Sequence, residues 1–267
     1  MNAVAIGPFV FSSGQFAGIL GIFAFTIVTS ILARRVDPVI AKWSTWALIG
    51  GLVAARLGHV ALHWQSFVGE PLRIFAFWQG GFQPLAGLVG VLIVSALFIR
   101  SLKAGLAAAG AIAFSLVLWV GVTQLTQATL GQPAPTFALQ QLDGQPLAVS
   151  DARGKPAVIN LWASWCPPCR REMPLLAEVA ASRDDVAFLF VNQGEGSETI
   201  RTYLAKENLK LDRVLLDQSM QIPRHYGTLG LPVTLFLRAD GTLASMHMGE
   251  ISREALNAAI DRLGASI

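Results

Sequence analysis

The sequence predicts a multi-domain protein: an N-terminal all-α transmembrane domain of four helices, followed by a C-terminal α/β domain. Two observations predict this architecture. The first half holds four long apolar stretches, and a mean hydropathy of +0.53 with 14% charged residues is too apolar for an ordinary soluble protein of 267 residues. The second half alternates short apolar runs with helical patterns, which favours a mixed sheet covered by helices.

The four apolar stretches are expected to span a membrane. Three of them approach or exceed the ~20 residues that a bilayer-spanning helix needs, and the third is short unless it begins near Phe82. The stretches cover residues 9–33, 45–64, 85–99 and 104–125. The first stretch is not expected to be a cleavable signal peptide, because residues 1–11 carry no positive charge.

Charge is divided unevenly between the two halves. Residues 1–132 hold seven Lys or Arg and two acidic residues, whereas residues 133–267 hold thirteen and fifteen. The basic excess therefore flanks the apolar stretches, and no nucleic-acid partner is expected. Five of these seven cations follow the first stretch or lie between the third and fourth, at Arg34, Arg35, Lys42, Arg100 and Lys103. By the positive-inside rule, both termini face outward.

The composition changes after residue 125. Residues 126–134 are polar and punctuated by Gly and Pro, as is typical of a linker. The predicted domains are therefore a transmembrane domain at 1–125 and a soluble domain at 135–267.

Strands and helices alternate through the second domain. A hairpin opens it, with strands at 137–139 and 146–149 around an Asp143-Gly144 turn. The next elements are a strand at 157–162, a helix at 167–181, a strand at 186–192 and a helix at 197–207. Strands at 214–216, 233–238 and 243–247 and a helix at 252–263 follow. Ser197 and Ser252 are expected to cap their helices.

The two cysteines of the chain, Cys166 and Cys169, lie in the segment WASWCPPCRREMP. A strand that runs directly into a helix places Cys166 at the helix N-terminus, which favours a thiolate and lowers the thiol pKa from about 8.5 toward 3.5 to 7.5. Cys166 is the predicted nucleophile, and Cys169 the resolving thiol one turn further along. Pro167 and Pro168 fix the backbone of the first turn. A purely structural disulfide is the less favoured alternative, because so short a loop stabilises little.

Residues 158–174, VINLWASWCPPCRREMP, together with Gly154-Lys155-Pro156 and the segment GLPVT at 230–234, resemble the TlpA/ResA-like thioredoxin-fold proteins of bacterial envelopes. The resemblance covers residues 131–267. It implies a thioredoxin-like fold, protein-disulfide reductase activity, and a redox-active disulfide in place of any other cofactor or metal. It also implies that Pro232 is a cis-proline facing the disulfide. The implied substrate-binding residues are Trp165, Pro167, Pro168, Leu231 and Pro232.

Two glutamates complete the catalytic set that this resemblance implies. Glu172 lies one helical turn after Cys169, and Glu195 follows a buried strand; both match acidic positions of the ResA-like subfamily. Either carboxyl can relay a proton or raise the thiol pKa by like-charge repulsion. The alternative is a Glu on a helix face and another in a solvated loop. Asn160 stands where thioredoxins carry a buried Asp, which favours one of these glutamates as the substitute.

The membrane half resembles the first half of prolipoprotein diacylglyceryl transferase. The motifs are GGLVAARLG at 50–58 and FWQGGFQPLAGLVG at 77–90, and the resemblance covers residues 12–120. That enzyme has a His where this sequence has Leu85, and its later arginine-bearing helices have no counterpart here, so lipid transfer is not expected. Arg56 and His59 are predicted to contact a lipid headgroup or a partner, with snorkelling of Arg56 as the alternative. The Gly-rich faces predict close helix packing.

Together these patterns predict a membrane-anchored thiol:disulfide oxidoreductase. It would lie in the bacterial cytoplasmic (inner) membrane as a multi-pass protein, with its thioredoxin-like domain in the periplasm or outside. Its partners would be protein thiol or disulfide substrates, a membrane electron donor and the bilayer. A copper-site or cytochrome assembly thiol chaperone and a dithiol oxidase are the alternatives. Peroxiredoxin activity is disfavoured because Ala163 stands where those enzymes need a Thr.

Overall fold

A computed structural model describes residues 3–6, 9–68, 71–77, 80–126, 131–228 and 230–264. The chain forms two compact units. The first unit is Ser13–Thr126, and the second contains Met1–Ser12 and Gln127–Ile267.

The first unit is helical. Its elements are α1 (Ser13–Arg35), α2 (Val39–Leu62), α3 (Trp64–Phe67), a 3₁₀ turn (Pro71–Phe75), α4 (Pro84–Phe98) and α5 (Leu102–Thr126). Helices α1, α2 and α5 are long and apolar enough to cross a membrane. Helix α4 has 15 residues, or about 22 Å of helix against a hydrocarbon core of about 30 Å. The predicted fourth span therefore stays a prediction.

The N-terminal residues differ from the prediction. The first apolar stretch was expected to be helical from residue 9, but β1 (Ala3–Ile6) and β2 (Phe9–Ser12) pair as antiparallel strands, and α1 begins at Ser13. The sequence of β2, FVFS, is rich in aromatic and β-branched residues. Hydropathy alone cannot separate such a short apolar strand from the start of an apolar helix.

Glycines bring α2 and α4 into close contact. A Cβ on Gly90 would lie 2.6 Å from the carbonyl oxygen of Gly50, and a Cβ on Gly58 would lie 2.3 Å from the Cβ of Ala86. Neither position has room for a side chain. The prediction that the Gly-rich faces pack closely is confirmed.

The second unit contains a seven-stranded mixed sheet in the order β4-β3-β7-β6-β5-β8-β9. Its strands are β3 (Ala138–Gln141), β4 (Pro146–Ala148), β5 (Ala157–Trp162), β6 (Ala187–Gln193), β7 (Val214–Asp217), β8 (Val233–Leu237) and β9 (Leu243–Met248). Its helices are α6 (Pro167–Ser182), α7 (Ser197–Lys206), α8 (Gln221–Tyr226) and α9 (Arg253–Gly264). Strands β5, β6 and β7 are parallel, and the remaining pairs are antiparallel. The predicted mixed α/β architecture is confirmed.

Alternate residues of the central strands build two separate cores. Val158 and Phe190 pack in one cluster, which includes Met173 of α6. Ile159 and Leu189 pack in the other cluster. Side chains alternate between faces along a strand, so a fully buried strand feeds both cores. This burial fixes the carboxyl ends of β5, β6 and β7 at one edge of the sheet.

Two predicted helix caps had different outcomes. Ser252 caps α9, because its Oγ accepts a hydrogen bond of 3.3 Å from the amide of Ala255. Ser197 is the first residue of α7, and the N-cap is Gly196, which has no capping side chain.

The short helix α8 was not predicted, since six residues are too few to show helical periodicity.

Part of the predicted linker pairs with the sheet. The amide of Gly131 donates to the carbonyl of Leu243, and that of Ala134 to the carbonyl of Gly241, both at 2.8 Å. Residues 127–130 of the predicted linker lie outside the described residues. The domain boundaries at 125 and 135 therefore remain a prediction.

Candidate redox site

Cys166 and Cys169 are joined by a disulfide at the start of α6. Strand β5 ends at Trp162, and α6 begins at Pro167, so Cys166 is the N-cap of the helix. Its sulfur accepts a hydrogen bond of 3.3 Å from the amide of Cys169. The predicted position of Cys166 at a helix N-terminus is confirmed. Unpaired amides there can stabilise a thiolate once the disulfide is open.

The residues predicted to bind substrate differ in exposure. The Trp165 side chain is 64% exposed, Pro167 is exposed and Pro168 is half-buried. Immediately before the neighbouring strand β8, the peptide bond between Leu231 and Pro232 is cis. The predicted cis-proline is confirmed, while the substrate-binding role of these residues stays a prediction.

Glu172 is a buried carboxyl that hydrogen bonds hold in place. It is 2% exposed. Its Oε1 accepts from Asn160 Nδ2 at 2.8 Å, and its Oε2 accepts from the amide of Ile251 at 2.9 Å. Desolvation raises the pKa of the Glu172 carboxyl to about 8, and the bonds from Ile251 and Asn160 oppose this rise. Glu172 is thus protonated at neutral pH and can exchange its proton in the range where thiols ionise.

Asn160 links Glu172 to the sheet. Its Nδ2 also donates to Thr234 Oγ1 at 3.2 Å, while its Oδ1 is buried without a hydrogen-bond partner. The sequence indicated that a glutamate replaces the buried Asp of thioredoxins, and the structure brings Glu172 into direct contact with that position. Ile251, the other hydrogen-bond partner of Glu172, lies 79 residues from it along the chain. No local sequence pattern could have identified this contact.

Glu195 is bound to the loop that precedes Cys166. Its Oε2 accepts from the amide of Ser164 and from Asn192 Nδ2, both at 2.7 Å, and its Oε1 accepts from Ser164 Oγ at 2.5 Å. The carboxyl therefore fixes the loop between β5 and α6 against the end of β6. Ser164 was not predicted, although adjacent parallel strands must bring their following loops together.

Two arginines follow Cys169 and carry ion pairs at the surface. Arg170 pairs with Glu207, and Arg171 with Glu250, each at 2.7 Å. The Arg170–Glu207 pair is exposed on both sides, and such pairs contribute about 0–1 kcal/mol, whereas the Glu250 side chain is 9% exposed. Each arginine charge is thereby partly neutralised, and salt screens what remains at the exposed surface.

Among the residues that the structure describes, no three His, Cys, Asp or Glu side chains are grouped so that they could hold a metal ion. His247 is half-buried on β9, with Nε2 at 3.3 Å from the carbonyl oxygen of Glu250. Burial lowers the pKa of its imidazole.

In the helical unit, Arg56 holds a loop of its own chain. It is 5% exposed. Its guanidinium donates to backbone carbonyls of Arg73 (2.7 Å), Ile74 (2.9 Å), Gly80 (2.7 Å) and Gly81 (3.0 Å). These bonds give Arg56 a structural role that the sequence did not indicate. The predicted contact of Arg56 with a lipid headgroup or partner stays a prediction.

His59 lies half-buried on the same helix. Its ring centroid is 4.5 Å from that of His63, and its ring meets Phe67 edge-on at 6.2 Å. The predicted contact of His59 with a lipid or partner also stays a prediction.

Two known families match the two halves of the chain. The profile of the AhpC/TSA family matches residues 130–246. The profile of prolipoprotein diacylglyceryl transferase matches residues 2–125. The boundary between the two matches coincides with the end of α5.

Individual proteins also match the half that carries the disulfide. The thioredoxin-like protein YneN of Bacillus subtilis is 30% identical over 135 residues, which cover 49% of this chain and 78% of YneN. The thiol-disulfide oxidoreductase ResA of Geobacillus thermodenitrificans is 31% identical over 134 residues, covering 49% and 76%. A crystal structure of a putative thiol:disulfide interchange protein DsbE from Chlorobium tepidum is 28% identical, covers 50% of this chain and 96% of its own, and has a TM-score of 0.46.

Proposed function

Since this chain belongs to the ResA-like thiol-disulfide oxidoreductases and carries a prolipoprotein diacylglyceryl transferase-like segment before them, we propose that it is a membrane-anchored reductase of disulfides in extracytoplasmic proteins. The observation that carries the proposal is the Cys166–Cys169 disulfide at the N-terminus of α6, with the protonatable carboxyl of Glu172 one turn further along. This arrangement supplies a nucleophile, a resolving thiol and a proton carrier.

The proposed reaction transfers two electrons from the reduced cysteine pair to a substrate disulfide. The Cys166 thiolate attacks one substrate sulfur, forms a mixed disulfide and releases the other substrate sulfur as a thiolate. Cys169 then loses its proton and attacks Cys166. The second substrate sulfur leaves as a thiolate, and the Cys166–Cys169 disulfide forms. Trp165, Pro167, Pro168, Leu231 and Pro232 are proposed to contact the substrate during these steps.

Glu172, in its ionised form, is proposed to accept the proton of Cys169. Both side chains are buried on α6, so bulk water has little access to the Cys169 thiol. The Glu172 pKa of about 8 lies close to the ordinary thiol pKa of about 8.5. Proton transfer between groups of matched pKa has a small free-energy difference, which suits general base catalysis.

Glu195 is proposed to position the loop that precedes Cys166. Its three hydrogen bonds to Ser164 and Asn192 keep the loop before Cys166 close to the end of β6. The thiol is thereby held at the helix N-terminus in the reduced form as well as in the oxidised form.

The redox potential of the full-length protein in detergent tests the direction of electron flow. Both cysteine side chains are buried, and burial disfavours negative charge on a thiolate and with it the reduced form of the pair. We therefore expect a potential nearer the −270 mV of reductants than the −120 mV of oxidants. A value above about −200 mV, with rapid oxidation of added dithiols, would assign the protein as a dithiol oxidase instead. A reductase also needs a membrane thiol donor to restore its cysteines.

The location of the disulfide is tested by fusions to alkaline phosphatase, which is active only outside the cytoplasm. The excess of Lys and Arg after α1 and between α4 and α5 supports a cytoplasmic location for those two loops. We expect a fusion after residue 130 to be active and a fusion after residue 40 to be inactive. The reverse pattern would place the redox site in the cytoplasm.

A further inference from the structure

Two large apolar side chains are strongly exposed within residues 131–228 and 230–264, the described part of the disulfide-bearing unit. They are Trp165, at 64%, and Met220, at 45%. Trp165 adjoins the reactive Cys166. Met220 lies 54 residues after Cys166 along the chain and has no role in the reaction proposed above.

The sheet places Met220 at the same edge as the disulfide. The parallel strands β5, β6 and β7 end side by side, with Trp162 opposite Asn192 and Gln193 opposite Asp217. The loops after these strands carry Trp165, Glu195 and Met220 in that order. A Cβ placed on Gly194 would lie 3.6 Å from Cε of Met220. The Met220 methyl group therefore covers the backbone next to Glu195, which in turn binds the loop that carries Trp165.

The backbone of Met220 is held in an unfavourable conformation. Its φ is +54°, in the left-handed region that Gly and Asn adopt with less strain. The buried Asp217 fixes this turn, because its carboxylate accepts from the amides of Gln221 at 2.7 Å and Ile222 at 2.9 Å. Strained residues that their surroundings hold in place concentrate at binding sites. Here the strain presents an apolar side chain to solvent.

We propose that Met220 is a specificity contact that binds an apolar side chain of the protein substrate, an inference that rests on the proposed disulfide reductase function. Methionine is flexible and polarisable, and it suits a surface that accepts varied apolar groups. The ends of β5 and β7 are two strand spacings apart, about 9.6 Å. An extended peptide covers this distance in about three residues. The favoured substrates thus carry an apolar residue about three positions from the cysteine that Cys166 attacks.

Peptide disulfides that differ at one residue test this inference on the full-length reduced protein in detergent. Two peptide series carry Leu or Ser three positions before, or three positions after, the disulfide-bonded cysteine, and glutathione disulfide serves as a substrate without flanking contacts. We expect the wild type to reduce the Leu peptide of one series about tenfold faster than its Ser counterpart, the discrimination typical of one apolar contact.

Met220→Asn is expected to remove this preference while leaving the rates with the Ser peptides and glutathione disulfide unchanged, since Asn tolerates the left-handed backbone. Met220→Leu should keep the preference. Arg213→Asn is the matched control, because Arg213 also has a positive φ, +50°, and lies at the opposite end of β7.

Three results would overturn the assignment of Met220: no preference in the wild type, a preference that survives in Met220→Asn, or an equal loss of rate with every substrate. If the wild type reduced none of the disulfides, the proposed function itself would fail, which is a separate and recognisable outcome.

Discussion

Replacement of Cys166 by alanine is expected to abolish disulfide reduction, with a loss of about a thousandfold or more in the second-order rate constant. The thiolate is the nucleophile of disulfide exchange, and Cys166 is the cysteine at the helix N-terminus, where unpaired amides stabilise negative charge. Cys169 lies inside the first turn, is fully buried and is not expected to replace it. The measurement is the rate of reduction of a peptide disulfide by the full-length protein in detergent.

The two cysteines are expected to differ in the intermediate that they accumulate. Cys169→Ala leaves the nucleophile but removes the resolving thiol, so a mixed disulfide through Cys166 should persist. Such an adduct is visible as a reducible band on a gel, and Cys166→Ala is the matched control that should form none. Equal trapping by both variants would show that the roles of the cysteines have been assigned wrongly.

Replacement of Glu172 by glutamine is expected to slow resolution of the mixed disulfide about a hundredfold near neutral pH, within the range of general base catalysis. The wild-type rate should rise as pH approaches about 8, where Glu172 loses its proton, and then level off. The Gln variant should lose the midpoint near pH 8 and follow only the ionisation of the Cys169 thiol, while keeping the first step, the attack by Cys166. Unchanged pH profiles in the two proteins would exclude Glu172 as the proton acceptor.

The same carboxyl gives the stability of the oxidised protein a pH dependence of defined sign. The pKa of Glu172 is raised from 4.5 to about 8 on folding, so between these values the folded state holds a proton that the unfolded state has lost. The contribution of Glu172 to the free energy of unfolding is therefore greatest below pH 4.5, falls as pH rises to about 8, and is constant above it. The full decrease is at most about 5 kcal/mol.

Glu172→Gln should remove this decline, because the amide stays neutral. The Gln oxygen can accept from the backbone amide of Ile251. The Gln nitrogen can donate to Asn160 Oδ1 once the Asn160 side-chain amide flips, which reverses the direction of the wild-type bond. Hydrogen exchange of the buried amides of β5, compared between pH 5 and pH 8, measures the effect. A decline of equal size in the variant would mean that another group causes it.

Much of the site could be predicted from local sequence. The Cys-Pro-Pro-Cys segment follows an apolar strand and precedes a helical pattern. Cys166 was therefore predicted to lie where the helix begins. The central strands were predicted within one or two residues, since buried parallel strands are continuous apolar runs. Composition likewise located the helical half, because long apolar stretches indicate membrane-spanning helices.

The tertiary structure decided what depends on residues far apart in the chain. Glu172 owes its raised pKa to burial, which outweighs the opposing hydrogen bonds from Ile251 and Asn160. That burial arises from packing of α6 against the sheet. The bonds of Glu195 to Ser164 exist because β5 and β6 end side by side. Met220 is exposed at the same edge of the sheet as the disulfide. Its position there depends on the order of three parallel strands and on a turn fixed by Asp217. Local sequence determines periodicity and helix ends, whereas desolvation and long-range hydrogen bonds are set only when the sheet assembles.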